Sequence, residues 1–539
     1  MPLDGLNQSE NLNAFVLEEP IEDRDLNGDG DRTDHVVKLG DRTTGLTQAI
    51  GTAGSEGRAV VRIQQLALEG RSVVVSGGRV FFRTAEAAAA RQRTELVSGD
   101  AIRSPSTSIS ADGRFVAFEA LLPGDANGIP DVFVHDRVTG VTERVSVDSN
   151  GVEGNGSCSD LSAGRAGGCI SLSADGRFVA FESTATNLAP DGTDTCLLLP
   201  GPIPSPCPNI FVHDRLTGMT ERASVVPNGS RSNAFPEPSI SANGRFVAFD
   251  GVFIARDGFQ SFLEILVRDR VAGTTERVVA LKPFQGLVFN PSISGDGRFV
   301  AFTSSISVFV HDRETGETTR VSVASDGAQG DSVSFAPSIS ADGRFVTFWS
   351  FASNLVPGDT NGDGDVFVHD RLTRVTERVD LASDGAQANA QFCACSQHLS
   401  ISADGRLVAF GGLASNLVPN SNSTVLLHDR VTGMTESIPL GFGSGRAVSM
   451  SADGRFVAFS NEFGVFVSGP EEGDSAADLT GDGDLDDTVL RVLDTSAPSA
   501  KPITLGPANV VAVHAGTAAF LRPEAAGGTG RPGGIDLNG

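Results

Sequence analysis

At 539 residues, 40% of them hydrophobic, the chain can bury a large core, and its net charge is −26 with a pI near 4.6. That acidity, with basic residues that are mostly arginine, excludes nucleic acid and anionic membranes as partners, because both need clustered Lys and Arg. No run of 18 apolar residues occurs, so membrane insertion through a spanning helix is excluded too.

The first residues, "MPLDGLNQSENLN", lack the basic-then-apolar pattern of a leader. "NAFVLEEP" from Asn13 and "HVVKLGDRTTGLTQAI" from His35 read as strands, separated by "DLNGDGDRTD" from Asp25. "AVVRIQQLALEG" from Ala59 and "SVVVSGGRVFFRT" from Ser72 are degenerate strands, and Gly77-Gly78 makes the turn in the second. "AEAAAARQR" from Ala85 is a short helix or a loose connection.

Then a repeat takes over. "SISADGRFVAF" from Ser108 recurs from Ser171, Ser239, Ser292, Ser338, Ser400 and Ser449, and most copies are followed by a relative of "DVFVHDRVTGVTERVSV" from Asp131. Within a copy, Ser-Ile-Ser is a short first strand. Asp112-Gly113 is a two-residue hairpin turn that wants positive φ at both central positions. Phe115 to Phe118 and Val132 to His135 are strands two and three, apolar on both faces. Gly140 suits a left-handed turn position, and Thr142 to Val147 is a more charged outer strand.

A small sheet buried on both faces must stand between two others, and repeating that around an axis gives a β-propeller. The turn Asp or Asn falls at 112, 175, 243, 296, 342, 404 and 453, so the shortest gap is 46 residues, close to the roughly 40–50 of one blade. Longer gaps are insertions between strands two and three, on one rim. The expected fold is all-β: a single closed propeller over residues 1–539, of about eight four-stranded blades, with seven to nine also fitting. Residues 1–103 would be degenerate blades, 104–445 six regular ones, and 446–539 a last blade and a partial one. The chain ends on "DLNG" at Asp536, the words that open the loop at Asp25, so the two ends are expected to share the blade that closes the ring.

"SADGRFVAF" resembles the "SPDGxxIAF" signature of the TolB-like, PD40 class of propeller repeats, over most of Arg103 to Val467. The resemblance implies the propeller architecture and says little of activity, since that fold hosts binders, scaffolds and enzymes.

The strongest chemical pattern is "DLNGDGDRTD". Asp25, Asn27 and Asp29 alternate, Gly30 allows a sharp turn, and Asp31 and Asp34 add oxygens. Such spacing lets six to eight oxygens converge on calcium. The loop is similar to EF-hand-like DxDxDG loops, without a Glu at the twelfth position. Asp478, Thr480, Asp482, Asp484 and Asp487 repeat it, as do Asp359, Asn361, Asp363 and Asp365. Asp125, Asn127 and Asp131 form a thinner copy. The plain alternative is solvated turns.

The six cysteines point to local disulfides, Cys158 with Cys169 and Cys196 with Cys207; Cys393 and Cys395 are too close for an unstrained bond, and only His398 stands near them for zinc. With the acidic loops, they place the protein outside the cell or in the periplasm.

His135, His213, His311, His369 and His428 share one repeat position, as do the Asp and Arg after each, so they read as blade-building residues. Trp349, the sole tryptophan, reads as core. No G-x-S-x-G, H-E-x-x-H or P-loop occurs, and there is no tyrosine. The sequence therefore reads as a non-enzymatic, calcium-stabilised module that holds a protein or glycan on its loop-bearing rim. The alternatives are a propeller enzyme acting on glycans, hydrolase or lyase, and a subunit of an extracellular polymer.

Overall fold

The computed structural model describes residues 92–98, 106–122, 125–157, 169–190, 208–225, 237–254, 261–281, 288–389, 399–412, 414–418, 425–438, 447–461 and 464–470, together with the backbones of isolated strands elsewhere. The chain divides into two compact units, residues 94–468 and residues 1–93 with 469–539.

The larger unit is a β-propeller of seven four-stranded blades. Blade 1 runs Thr107–Ile109, Phe115–Ala120, Asp131–Asp136 and Val141–Arg144, all antiparallel neighbours. Blades 2 to 6 repeat that order, and blade 3 carries an extra short strand, Arg231–Ser232. Blade 7 takes its inner three strands from Val448–Met450, Val457–Asn461 and Gly464–Pro470, and its outer strand from Gln92–Leu96, which precedes blade 1. Blade 7 also packs on blade 1: Phe456, Ala458, Val465 and Val467 share one buried cluster with Ile109, Val116 and Phe118.

The expected count of about eight blades is therefore corrected to seven. The two ends of the chain do pair, Val73–Ser76 and Arg79–Ala85 with Thr488–Asp494 and Ile503–Pro507, but that sheet belongs to the other unit and is not one of the blades. What docks one blade onto the next can be read in the seven that form the ring.

Docking starts at the Asp-Gly turn. Only the glycine has positive φ, 74° at Gly113, and the loop is longer than the expected two residues. Gly113 N–H donates to the Ser110 carbonyl, and Ser110 N–H to that of Phe115. The bare glycine face receives a ring from the preceding blade: Phe115 sits on Gly176, Phe178 on Gly244, Phe246 on Gly297, Phe299 on Gly343, Phe345 on Gly405, and Phe456 on Gly113. The arginine of "HDR" lies over the same ring, Arg215 at 4.3 Å from the Phe115 centroid, and donates to the turn carbonyl, Arg215 to Gly176 at 2.6 Å. The other arginine, of "DGR", makes a two-point ion pair with the aspartate of "HDR", as in Arg344 with Asp370 at 2.9 and 2.7 Å. In five blades two Phe rings meet across strands two and three, as Phe348 on Phe367 with centroids 6.0 Å apart, and blades 3 and 6 place Leu266 and Leu426 opposite the inner ring.

The histidines are structural as expected. His428 Nδ1 lies 2.8 Å from Thr435 Oγ1, whose hydroxyl is also bonded to the carbonyl of Leu381 in the blade before. Burial pushes the His428 imidazole down from 6.5 to about 4. An unfolded chain takes up that proton below 6.5, and the folded one refuses it until about 4, so this group drains stability as pH falls across that window. His428→Gln is expected to be less stable than the parent at pH 7, with the deficit shrinking as pH falls towards 4. Melting temperatures of both proteins across that range check this; a deficit independent of pH counts against it.

Candidate functional site

The innermost strands leave a polar cavity of about 220 Å³ to which every blade contributes. Its wall is a ring of equivalent serines, Ser108, Ser171 and Ser239 among them, and Ser171 and Ser239 take amide hydrogen bonds from Ile240 and Ile293 in the following blade at 3.1 and 3.0 Å. Blades 3, 4 and 5 break that symmetry. In each, a proline precedes the serine, at Pro238, Pro291 and Pro337. The residue before the proline is Glu237, Asn290 and Ala336, and all three line the cavity.

Asn290 and Ala336 both adopt left-handed backbone, with φ of 55° and 54°, at bulges where the inner strands lose register. For alanine this conformation costs about 1–2 kcal/mol, and such strain concentrates at functional sites. Asn290 Nδ2 donates to Glu237 Oε2 at 2.5 Å. Glu237 N–H donates to Asp250 Oδ1 at 2.8 Å, so a carboxylate 6% exposed anchors the segment from behind. Among the described residues that line the cavity, Glu237 is the only titratable one. It is half-buried, oriented by an amide and open to a polar space, which is the geometry of a group that can give or take a proton.

The aspartate-rich loops are placed in part. Asp25, Asn27, Asp29, Asp31 and Asp34, and Asp478, Thr480, Asp482, Asp484 and Asp487, lie outside the described residues, as do Cys158, Cys393 and Cys395. Cys169 is disulfide-bonded. The loop from Asp359 is described. Asn361 Nδ2 donates to Asp365 Oδ1 at 2.9 Å, Asp363 N–H to Asn361 Oδ1 at 3.2 Å, and Arg378 stands between Asp359 and Asp365. Burial and the Asp365 carboxylate push Asp359 up to about 6. The thinner copy in blade 1 gathers Asp125, Asp131 and Glu153, with one oxygen of each within 4.8 Å of the others, around Arg144. Burial raises Asp131 to about 6.

The sequence pointed to neither Glu237 nor Asn290. Their signal was present as "EPSIS", "NPSIS" and "APSIS" where other copies lack the proline. Trp349 is core, 4% exposed.

No family model and no curated protein matches the chain. Solved structures do. An oligogalacturonate lyase in complex with manganese is 13% identical, over 75% of this chain and 99% of its own, with a TM-score of 0.47. An oligogalacturonate lyase from Vibrio parahaemolyticus is 12% identical, over 75% of this chain and 100% of its own, with the same TM-score, 0.47. TolB from Acinetobacter baumannii is 15% identical, over 68% of this chain and 62% of its own, with a TM-score of 0.30. These likenesses concern the fold alone.

The reading as a non-enzymatic module, which rested on the absence of catalytic motifs and not on the fold, is corrected at this point: two of the structures similar in fold are lyases. The repeated residues are structural, and the departure lies where three adjacent blades, 3, 4 and 5, place a proline before the serine.

Proposed function

We propose that the protein starts from this fold as a propeller enzyme that cleaves glycosidic bonds at the channel end, with Glu237 as the proton-transferring carboxyl and Asn290 as the group that orients it. The single observation carrying this reading is the Glu237–Asn290 pair, 2.5 Å apart, in a polar cavity ringed by serines. A glycan chain end offers hydroxyls for the serines and a glycosidic oxygen for Glu237. In hydrolysis Glu237 protonates the leaving oxygen while water adds to the anomeric carbon. In elimination it takes a carbon-bound proton as the glycosidic C–O bond breaks.

Calcium is the proposed cofactor of the loops at Asp25 and Asp478, bracing them rather than reacting. An extracellular or periplasmic site goes with this, supported by the disulfide at Cys169, and we assign its partner as Cys158 and pair Cys196 with Cys207. Among the described residues no helix is long and apolar enough to cross a membrane.

A panel of neutral and uronate oligosaccharides tests the reading. New reducing ends without ultraviolet absorbance mark hydrolysis, and unsaturated, absorbing ends mark elimination. Neither product from any glycan, with the protein folded, would remove the proposal.

A further inference from the structure

The seam between blades 4 and 5 breaks the repeat in a second way. At five other seams the arginine of "HDR" pairs with a glutamate on the outer strand of the preceding blade: Arg137 with Glu95, Arg215 with Glu143, Arg270 with Glu221, Arg313 with Glu276 and Arg430 with Glu377. Blade 4 has Thr319 at that position, opposite Val310 just as Glu143 is opposite Val134 in blade 1. Arg371 of blade 5 therefore has no ion-pair partner among the described residues. It keeps its docking contacts, with Nη1 donating to the Gly343 carbonyl at 2.5 Å and the guanidinium 4.3 Å from the Phe299 ring centroid. Burial lowers its pKa from the ordinary value, Arg298 adds to that, and Asp312, Asp342 and Glu317 work against both.

The same seam gains a second cation. The tight turn after "HDR" has glycine at 140, 218, 273, 316 and 433, each with positive φ, whereas blade 5 places Arg374 there at φ 63°. Left-handed backbone is strained for any side chain, and such strain concentrates at functional sites. The Arg374 side chain is exposed and makes no hydrogen bond or ion pair among the described residues. One change removes a negative charge and the other adds a positive one at the same place, in a chain whose net charge is −26.

A cavity of about 420 Å³ opens there, with Thr319, Arg320, His369, Arg371 and Arg374 on its wall. Its volume falls within the roughly 300–1,000 Å³ of small-molecule sites. Asp326 is the one acid among the described residues that line it, and its Oδ1 is engaged by the Ala328 N–H at 2.9 Å. Arg320 donates to Gln329 Oε1 at 2.7 Å. His369, bonded through Nδ1 to Thr376 Oγ1 and held down to about 4 by burial, is neutral at pH 7. Three guanidiniums against one carboxylate leave the cavity positive.

We propose that this cavity binds a small anionic molecule, whose carboxylate, sulfate or phosphate group sits between Arg371 and Arg374 where the other seams carry a glutamate. The guanidinium fork matches the paired oxygens of such groups. The residues of this cavity do not line the channel, so the site is independent of glycan cleavage.

Calorimetric titration of the full-length protein with glucuronate, inorganic phosphate and sulfate, beside glucose as the neutral control, tests the proposal. At least one anion is expected to bind, more weakly as salt is added, and glucose is not. Binding of glucuronate alone assigns a sugar acid and binding of phosphate or sulfate a tetrahedral group; either supports the site. Thr319→Glu, which gives Arg371 the glutamate of the other seams, is expected to abolish binding. Arg374→Gly, which restores the turn glycine, should weaken it roughly tenfold or more, the worth of a charge-assisted hydrogen bond, and should raise the melting temperature. No binding of any of the three anions, equal binding of glucose, or unchanged affinity in either folded variant would overturn the proposal.

Discussion

Replacing Glu237 by glutamine is expected to cut glycan cleavage by roughly 10²–10⁴-fold, the usual worth of a positioned proton donor or acceptor. Glutamine keeps the shape and can still accept the Asn290 Nδ2 hydrogen bond through its carbonyl oxygen. The anchoring bond from residue 237 N–H to Asp250 belongs to the backbone and is untouched. The melting temperature should therefore stay where it is, and the loss should fall on turnover more than on binding. Initial rates with the glycan selected from the panel, beside a melting curve, check both halves. A variant that retains full activity would take the reaction away from Glu237.

Gly343→Ala is expected to cost about 2–5 kcal/mol and to lower the melting temperature accordingly. Two effects add. The residue sits at φ 73°, where a side chain costs about 1–2 kcal/mol. A methyl there would also stand 2.1 Å from Phe299 Cδ2 of the preceding blade, and overpacking of that kind costs typically 1–3 kcal/mol. Phe299 cannot simply swing aside, because Arg298 lies over its ring at 4.8 Å and Arg371 at 4.3 Å. Gly316→Ala is the control: it has the same sign of φ, 75°, and nothing within 4 Å, so it should show the conformational cost alone. Equal losses at both positions, measured by chemical denaturation, would deny the ring-on-glycine contact its role.

The repeat made the blade legible because each of its letters has a partner in the ladder or in the next blade. Phe118 and Val116 are fully buried, Gly113 seats a ring, and Arg114 holds Asp136 at 2.9 and 2.7 Å. Spacing alone could count these units but could not say where the unpatterned ends go. Whether Arg79–Ala85 joins the ring or pairs with Thr488–Asp494 depends on contacts nearly the whole chain length apart, which no local pattern encodes. The outer strand of blade 7 was missed for the same reason: "QRTEL" carries no repeat signature, and its place shows only in contacts such as Val97 N–H donating to the Val465 carbonyl at 2.9 Å and Thr94 Oγ1 to Ser468 Oγ at 3.1 Å.

The site was legible in reverse. Motif reading finds residues that recur, and in a propeller these are the masonry. Glu237 and Asn290 stand at a repeat position that Ser106, Cys169, Ala336, His398 and Ala447 fill in the other blades, so no recurring letter marks it. Asp359 and Asp365 stand out in the sequence because they obey a loop pattern. Asp380 does not, because "RVDL" differs from "RVSV" by one acidic letter, and its burial beside Asp365 is visible only in the structure.

The most direct test of the account blocks the channel. Ser338 lines the cavity beside the bulge at Ala336, and a tryptophan there would fill the space a sugar needs. Cleavage by Ser338→Trp, measured on the glycan the parent cleaves, is predicted to vanish while the protein melts as a folded propeller. Undiminished cleavage by a folded Ser338→Trp would contradict the account, since the reaction would then have to occur somewhere other than the channel end.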